Sequence, residues 1–275
     1  MSIEAAMQAG VRPVFRILAT QPGDRRLAFL RGLAAEAGIP IQVISRDELR
    51  SYATGASHGG VIGLAGERGY LSLSELLAGC GLRPLLIMLD GVEDPFNFGQ
   101  AVRSVYAAGA DGLIVRERSW EQAGGVVARA SAGASELLAT ASVPDADAAA
   151  AECRAHGIAV ACATTRADAV WIHDADLTQA LLVVIGGERR GVTRSFVDRT
   201  DLRLRIPYGR RGAHALGTAA SAAVIAFEAL RQRRAAGVEV ETSGGVSVGE
   251  SAGPSGGRGA QSSAVRRGRS ADTPS

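Results

Sequence analysis

Apolar runs of strand length alternate with helical segments along most of the chain. The runs at 85–89, 113–115 and 181–185 are short and continuous, which predicts buried strands. Between the first two runs, residues 98–108 predict a helix that Gly109 closes. Strand, helix and strand in this order are typical of a parallel sheet, so the chain is predicted to be an α/β protein.

The same pattern divides the chain into four parts. Residues 1–65 alternate short helices and strands, which predicts a small α/β domain. Residues 66–83 are predicted to be a linker with some helical content, and residues 84–236 form the larger domain. Residues 237–275 are rich in Gly, Ser, Ala and Arg without periodicity, which predicts a disordered tail.

The last regular element is predicted to be a helix from about His214 to Arg234. Apolar side chains recur in it at helical spacing and mark an apolar face, which either burial within the chain or a dimer interface would cover. They are Leu216, Ala220, Ala223, Val224, Phe227 and Leu230.

Composition narrows the class of protein. Aromatic residues make up only 4% of the chain, which favours an α/β protein over a β-sandwich. All 30 basic residues are arginine, whose planar fork suits phosphate, but the net charge of +2 is too small to indicate a nucleic-acid partner. Any basic patch must therefore be local.

Cysteine and histidine usage argues against a metal site. Cys80, Cys153 and Cys162 are an odd number without Cys-x-x-Cys spacing, which indicates reduced thiols in a cytoplasmic protein. No two of the scattered histidines have the spacing of metal ligands. No apolar run reaches membrane-spanning length, and the N-terminus lacks a signal-peptide pattern, so no membrane association is expected.

Polar residues cluster where the first strand of the larger domain ends. Asn97 and Gly99 are predicted to lie at the start of the helix, with Arg103 one turn further on. We expect Arg103 to project over the same crevice, although a surface arginine paired with a carboxylate is the simpler interpretation.

A second cluster, Gly186-Gly187-Glu188, follows the strand at 181–185. Glycine there would let a flat ligand approach the backbone, and Glu188 would place a carboxylate at the mouth of the crevice. An ordinary strand-to-helix turn would have the same sequence. Neither a Gly-x-Gly-x-x-Gly motif nor a P-loop is present, so NAD and a phosphate-cradling ATP site are disfavoured.

Together these segments resemble the SpoU (TrmH-type) branch of the SPOUT RNA methyltransferases. The resemblance covers about Pro84 to Arg234, and residues 1–65 resemble the ribosomal-protein-like domain that binds substrate. The first family motif is Asn97-x-Gly99-x-x-x-Arg103, and the second is Gly186-Gly-Glu188-x-x-Gly191. Between them lies a small-residue segment typical of the family, Ala130-Ser-Ala-Gly-Ala134. The third family motif, Ser-Leu-Asn, is replaced by Ala215-Leu216-Gly217, with His214 or Thr218 as possible substitutes for its polar side chains.

The resemblance implies a parallel sheet with a C-terminal trefoil knot that holds S-adenosyl-L-methionine. Backbone groups near Gly186, Gly187, Ile206 and Leu216 would bind the cofactor. It also implies a homodimer in which the last helix packs across the interface.

The implied reaction is methyl transfer to a ribose 2′-hydroxyl of rRNA or tRNA. A guanidinium has a pKa above about 12 and is a poor base. We therefore expect Arg103 to bind RNA phosphate and polarise the hydroxyl, while Asn97 and Glu188 orient it. A catalytically impaired RNA-binding member that has lost Ser-Leu-Asn is the alternative, and a base-methylating or antibiotic-resistance relative is a third possibility.

Several arginines are candidate phosphate contacts, with solvated surface charge as the alternative. Those in the small domain are Arg12, Arg16, Arg25 and Arg26, and those near the cleft are Arg210 and Arg211. Four in the tail would add weak, salt-sensitive affinity for RNA: Arg258, Arg266, Arg267 and Arg269.

Overall fold

The computed structural model describes residues 2–20, 25–53, 58–117, 123–210 and 215–238. All of these residues belong to one compact unit. The predicted disordered tail, apart from residues 237 and 238, lies outside the described residues.

A small three-stranded sheet contains the first strands of the chain. Its strand order is β2-β1-β3, with β1 parallel to β2 and antiparallel to β3. Leu18, Ile44 and Leu49 form its buried cluster. The N-terminal elements are α1 (Ser2–Ala9), β1 (Val14–Ala19), α2 (Arg25–Glu36), β2 (Ile41–Val43), α3 (Arg46–Tyr52) and β3 (Val61–Ala65).

A seven-stranded parallel sheet forms the rest of the molecule and confirms the predicted α/β class. Its strand order is β6-β5-β4-β9-β7-β10-β8. The strands are β4 (Leu85–Asp90), β5 (Gly112–Arg116), β6 (Thr140–Val143), β7 (Ala159–Ala163), β8 (Val170–Trp171), β9 (Leu181–Gly186) and β10 (Leu202–Arg205). The helices are α4 (Leu73–Ala78), α5 (Pro95–Ala107), α6 (Gly124–Ala130), α7 (Ala134–Leu137), α8 (Ala146–Ala155), α9 (Arg194–Arg199) and α10 (Thr218–Ala235).

Strand β4 lies at the centre of the core and is buried along its whole length. Successive side chains of a strand point to opposite faces. Accordingly Leu85, Ile87 and Leu89 join the cluster beneath α5 and α10, while Leu86 and Met88 join the cluster beneath α4, α8 and α9. Burial on both faces is why β4 reads as an unbroken apolar run.

Helix α5 begins three residues earlier than the sequence pattern predicts. Asp94 caps it, because its carboxylate accepts a 2.7 Å hydrogen bond from the Asn97 amide, and Pro95 occupies the first turn. Aspartate and proline between a strand and a helix can end the strand, but both are also helix-start residues.

Helix α10 begins at Thr218, and the apolar face marked by the sequence is not the face that it buries within the chain. The helix buries Thr218, Ala222, Ile225, Ala226, Ala229 and Arg233. It packs its small side chains against α5 and leaves Val224 and Phe227 exposed. Alanine allows close approach of two helices, so the larger apolar side chains of α10 are not the buried ones.

The segment that follows β3 is docked on the large sheet. Leu71 exchanges backbone hydrogen bonds with Thr140 and Ser142 at the edge strand β6. Ser72 and Glu75 then form a reciprocal capping box that starts α4. The helical content predicted for residues 66–83 is therefore present, while the domain boundary there stays a prediction.

Two further expectations concern thiols and membranes. Cys80, Cys153 and Cys162 are thiols and form no disulfide, as predicted, and burial raises the pKa of the Cys153 thiol to about 12. Among the described helices, none combines the length and the apolar character needed to cross a bilayer.

Gly99 permits a close crossing of α5 and α6. A Cβ atom at Gly99 would lie 2.6 Å from the Ala130 Cβ and 2.9 Å from the Val127 carbonyl oxygen. We expect Gly99→Ala to lower the free energy of unfolding by about 1–3 kcal/mol, because overpacking forces α5 and α6 apart. Urea unfolding measures the change.

Gly32→Ala is the matched control, because Gly32 lies in α2 and a Cβ there meets nothing within 4 Å. We expect it to raise the free energy of unfolding by about 0.5–1 kcal/mol, the usual helical preference for alanine over glycine. The same sign for both substitutions would contradict the close crossing.

Candidate active site

The candidate site lies where the strand order of the large sheet changes direction. Strand β4 has β5 on one side and β9 on the other, and all three are parallel. In open parallel sheets, ligands bind in the crevice outside the carboxyl ends of the strands at such a switch point. Asp90, Gly186 and the start of α5 all lie at this edge.

Two of the predicted site residues are in direct contact. The Asn97 side-chain Nδ2 donates a 2.8 Å hydrogen bond to Glu188 Oε1, across 91 residues of chain. Glu188 is exposed, so its carboxylate stands at the mouth of the crevice with one oxygen held. The structure therefore joins the first and second motifs through their polar side chains.

The glycine turn after β9 is built from backbone contacts. The Gly187 amide donates a 2.7 Å bond to the Asp90 carbonyl, and the Gly191 amide donates a 2.8 Å bond to the Gly187 carbonyl. A Cβ atom at Gly187 would collide with the Gly91 carbonyl, and one at Gly186 with the Gly191 backbone. Glycine is required at both positions because two backbone segments run against them.

The third segment joins the same site through Thr218. This buried threonine donates a 2.9 Å hydrogen bond from Oγ1 to the Gly186 carbonyl. The Leu216 amide donates a 3.1 Å bond to the Tyr208 hydroxyl, which links the residues on either side of the loop. A Cβ atom at Gly217 would lie 3.5 Å from Glu188 Oε1. Residues 186–188 and 216–218 are therefore adjacent, as the motif order implied; His214 lies outside the described residues.

Arg116 is a residue of this edge that the pattern did not single out. Its Nε lies 2.5 Å from Oδ1 of the buried Asp90, an ion-pair contact without hydrogen-bond alignment. Asp90 and Arg116 directly follow the apolar runs 85–89 and 113–115, and they are the last residues of β4 and β5. A charged residue directly after each of two neighbouring apolar runs was the available signal.

Arg103 occupies the wall of a neighbouring cleft. It is exposed on α5, six residues after Asn97, which is about 9 Å along the helix axis. The cleft has a volume of about 1620 Å³ and also includes Phe96, Phe29 and His58 on its walls. Within the described residues, no hydrogen bond or ion pair joins Arg103 to Asn97 or Glu188, so their convergence on one pocket stays a prediction.

The arginines predicted to contact phosphate have varied surroundings. Arg12 is mostly buried and holds Glu136 with two hydrogen bonds, whereas Arg16 is exposed and donates to Gln42. Arg210 is exposed at the end of the loop after β10. The side chains of Arg25 and Arg26, and the whole of Arg211, lie outside the described residues, as do the tail arginines.

Fold and site together define a class: an α/β enzyme with a glycine-lined crevice at the switch point of a parallel sheet. Residues 84–227 match the model of the SpoU rRNA Methylase family, and residues 1–70 match that of the RNA 2′-O ribose methyltransferase substrate-binding domain. The chain belongs to the SpoU rRNA methylase family.

Relatives and solved structures agree with this assignment. The chain is 29% identical over 236 residues to the 23S rRNA (guanosine-2′-O-)-methyltransferase RlmB of Pseudomonas putida, covering 85% of this chain and 94% of the relative. It is 30% identical over 237 residues to the RlmB of Pseudomonas syringae, with the same coverage. The crystal structure of the SpoU methyltransferase AviRb from Streptomyces viridochromogenes superposes with a TM-score of 0.71 at 26% identity, covering 86% of this chain and 88% of AviRb.

The hydroxyl of Thr218 should contribute measurably to the free energy of unfolding through its hydrogen bond at this edge. We expect Thr218→Val to lower the free energy of unfolding by roughly 1–3 kcal/mol, because the Gly186 carbonyl loses its partner in a buried place. Thr218→Ser keeps the hydroxyl and should recover most of the loss. Equal stabilities for the valine and serine variants in urea unfolding would exclude this bond as a contributor.

Proposed function

We propose that the chain transfers the methyl group of S-adenosyl-L-methionine to a ribose 2′-hydroxyl of ribosomal RNA. One observation carries the proposal: the first and second family motifs, and Thr218 directly after the replaced third motif, meet at one edge of the sheet through Asn97–Glu188 and Thr218–Gly186. The P. putida and P. syringae relatives are named as enzymes of this reaction. None of the relatives supports the alternative of a catalytically impaired member.

The residues of the crevice fit a flat nucleoside cofactor. The missing side chains of Gly186 and Gly187 make room for the backbone of Gly191 and Gly91, so these glycines shape the turn, and Ile206 after β10 adds a half-buried apolar side chain. The segment at Leu216 completes the wall next to Tyr208. When bound, S-adenosylmethionine supplies an already activated methyl group on a sulfonium. AviRb of S. viridochromogenes has been crystallised with AdoMet.

The polar side chains of the site have separate roles in the transfer. Asn97 holds the Glu188 carboxylate in one orientation at the mouth of the crevice. Arg103, on the cleft wall, holds a phosphate of the RNA and donates a hydrogen bond that acidifies the neighbouring ribose hydroxyl, since a guanidinium keeps its own proton. The hydroxyl proton passes to solvent water as its oxygen takes the methyl group. Fixing the hydroxyl in line with the methyl group lowers the barrier to this transfer.

The polar side chains of Ser-Leu-Asn are partly replaced. Thr218 supplies a hydroxyl at this turn, but its bond to the Gly186 carbonyl supports the glycine turn. The family knot, which the motif order implies, would explain why residues 216–218 lie against residues 186–188 although β10 and β9 are not neighbours in the sheet.

The modified nucleotide is the decisive observation. Because the RlmB relatives are named for a guanosine of 23S rRNA, we expect the product to be a ribose-methylated guanosine in that RNA. We expect the protein to act in the cytoplasm. Mapping 2′-O-methylation in RNA from cells with and without the gene tests reaction and substrate together. The proposal would be rejected if RNA from cells without the gene lacked a methyl group on a base, or lacked no methyl group at all.

Arg103→Ala should nearly abolish methyl transfer while cofactor binding is retained. Loss of a donor that stabilises the reacting hydroxyl costs about a thousandfold in kcat. Methyl incorporation into an rRNA transcript gives the rate, and calorimetric titration with S-adenosylhomocysteine gives cofactor affinity. Arg50→Ala, which removes another exposed arginine away from α10, is the control. Wild-type turnover of Arg103→Ala would exclude this role.

The exposed face of α10 supports a homodimer. Val224 and Phe227 are 37% and 48% exposed, and Leu216, just before the helix, is 40% exposed. Large apolar side chains aligned on one helix face favour a partner surface. The family tendency to dimerise through this helix is consistent with a second copy as that partner.

Phe227→Glu should therefore convert the protein to a monomer, because a buried charge without a partner opposes association. Light scattering coupled to size-exclusion chromatography measures the mass. Tyr52→Glu is the control, since Tyr52 is 51% exposed on α3, away from this face. An unchanged dimer mass for Phe227→Glu, or a monomeric wild type, would contradict this interface.

A further inference from the structure

A buried ionic cluster joins the N-terminal elements to the large sheet. The Arg12 guanidinium donates two hydrogen bonds to the Glu136 carboxylate, from Nε to Oε2 at 2.9 Å and from Nη2 to Oε1 at 3.0 Å. The side chain of Glu136 is only 2% exposed and that of Arg12 only 17%. Two parallel bonds of this kind fix both distance and orientation.

Arg68 is the third member of the cluster. It lies beyond β3, and its Nη2 donates to the Leu138 carbonyl at 3.1 Å and to Thr140 Oγ1 at 3.0 Å. Burial lowers the pKa of the Arg68 guanidinium, and the nearby Glu136 charge opposes that shift. One buried carboxylate therefore compensates two arginines from the N-terminal part of the chain.

Neighbouring contacts reinforce the same junction. The Ser2 hydroxyl donates to the Ala128 carbonyl at 2.8 Å, and α1 packs against α7. Helices α6 and α7 in turn pack against α5, with Ala130 directly over Gly99. Since α5 contains both Asn97 and Arg103, the junction is connected to the candidate site through packed helices.

The cleft beside this junction is bounded by both parts of the chain. Phe29 and His58 line it from the N-terminal elements, and Phe96 and Arg103 line it from α5. Its volume of about 1620 Å³ exceeds the roughly 300–1,000 Å³ typical of small-molecule pockets. A strand of several nucleotides is an occupant of suitable size, and aromatic side chains suit unstacked bases.

We propose that the Arg12–Glu136–Arg68 cluster is a clamp that holds the N-terminal elements at a set distance from Arg103, so that RNA bound on them presents its target ribose at the site. The inference rests on the proposed function. Arg12 and Glu136 are positioning residues in this scheme: both lie on the cleft wall, but their polar atoms bind each other, and they act through the width of the cleft.

The clamp and a phosphate contact at Arg12 predict opposite kinetics. With the clamp broken, RNA still binds to the N-terminal elements but its ribose is misplaced. Arg12→Ala should then lower kcat by roughly ten- to a hundredfold, with the KM for an rRNA fragment changed by less than about twofold. Loss of a phosphate contact would raise KM instead.

Glu136→Gln separates the two interpretations further. It frees Arg12 for phosphate, so a phosphate-contact role predicts unchanged or tighter RNA binding. The clamp predicts the same fall in kcat as for Arg12→Ala, and little additional loss in the double variant, because both changes remove one interaction. Additive losses, or an unchanged kcat for Glu136→Gln, would overturn the clamp.

Arg50→Ala is the matched control. Arg50 is 74% exposed in the same part of the chain and pairs only with Asp47 on its own helix among the described contacts. Its removal costs one positive charge without opening the junction, so kcat should change by less than about twofold. A loss as large as that of Arg12→Ala would attribute the effect to charge and overturn the clamp.

Hydrogen exchange keeps the test independent of methyl transfer. In Glu136→Gln the amides of α1 should exchange faster, while those of β4 keep their protection and S-adenosylhomocysteine still binds. Unchanged exchange in α1 would overturn the clamp even if the enzyme proves active. An inactive wild-type protein with faster α1 exchange in the variant would reject the proposed function and leave the clamp standing.

Discussion

One backbone hydrogen bond, from the Gly187 amide to the Asp90 carbonyl, sets the geometry on which the site depends. It continues the pairing of β4 with β9 by one residue beyond the last paired positions, Asp90 and Gly186. Two backbones can approach this closely only if Gly187 lacks a Cβ atom, which would collide with the Gly91 carbonyl. The close approach brings the segment that leads into α5 alongside the glycine turn, and so allows Asn97 to reach Glu188.

Much of the fold was predictable because its central strands are buried on both faces. Runs such as 85–89 and 181–185 have one interpretation in an α/β chain, and the structure extends each by a single residue. Helix α10 was the exception. Its buried face is made largely of alanine, while Phe227 and Val224 are exposed, so ranking side chains by hydrophobicity does not select the face buried within the chain. Periodicity locates a helix, but it cannot distinguish a core from a surface that another chain would cover.

The sequence predicted only those residues of the site that lie within short, continuous motifs. Asn97, Gly186, Gly187 and Glu188 lie together at the edge where the motif order placed them. The Asp90–Arg116 contact and the Arg12–Glu136 pair connect residues far apart in the sequence and follow no spacing rule. Their partners become visible only when the strand order of the sheet is known.

Arginine usage shows why charge alone is a poor guide to function in this chain. Arg233 is 4% exposed and donates its hydrogen bonds to the carbonyls of Arg83, Pro84, Leu177 and Gln179, so one guanidinium joins two chain segments. Burial lowers the pKa of Arg233, yet a guanidinium stays charged under such conditions where an ammonium would not. In a protein without lysine, arginine therefore serves as a structural donor as well as a surface charge. An arginine of this chain indicates RNA binding only when its guanidinium is both exposed and unclaimed by the fold, a condition that Arg103 meets among the described contacts and Arg12 does not.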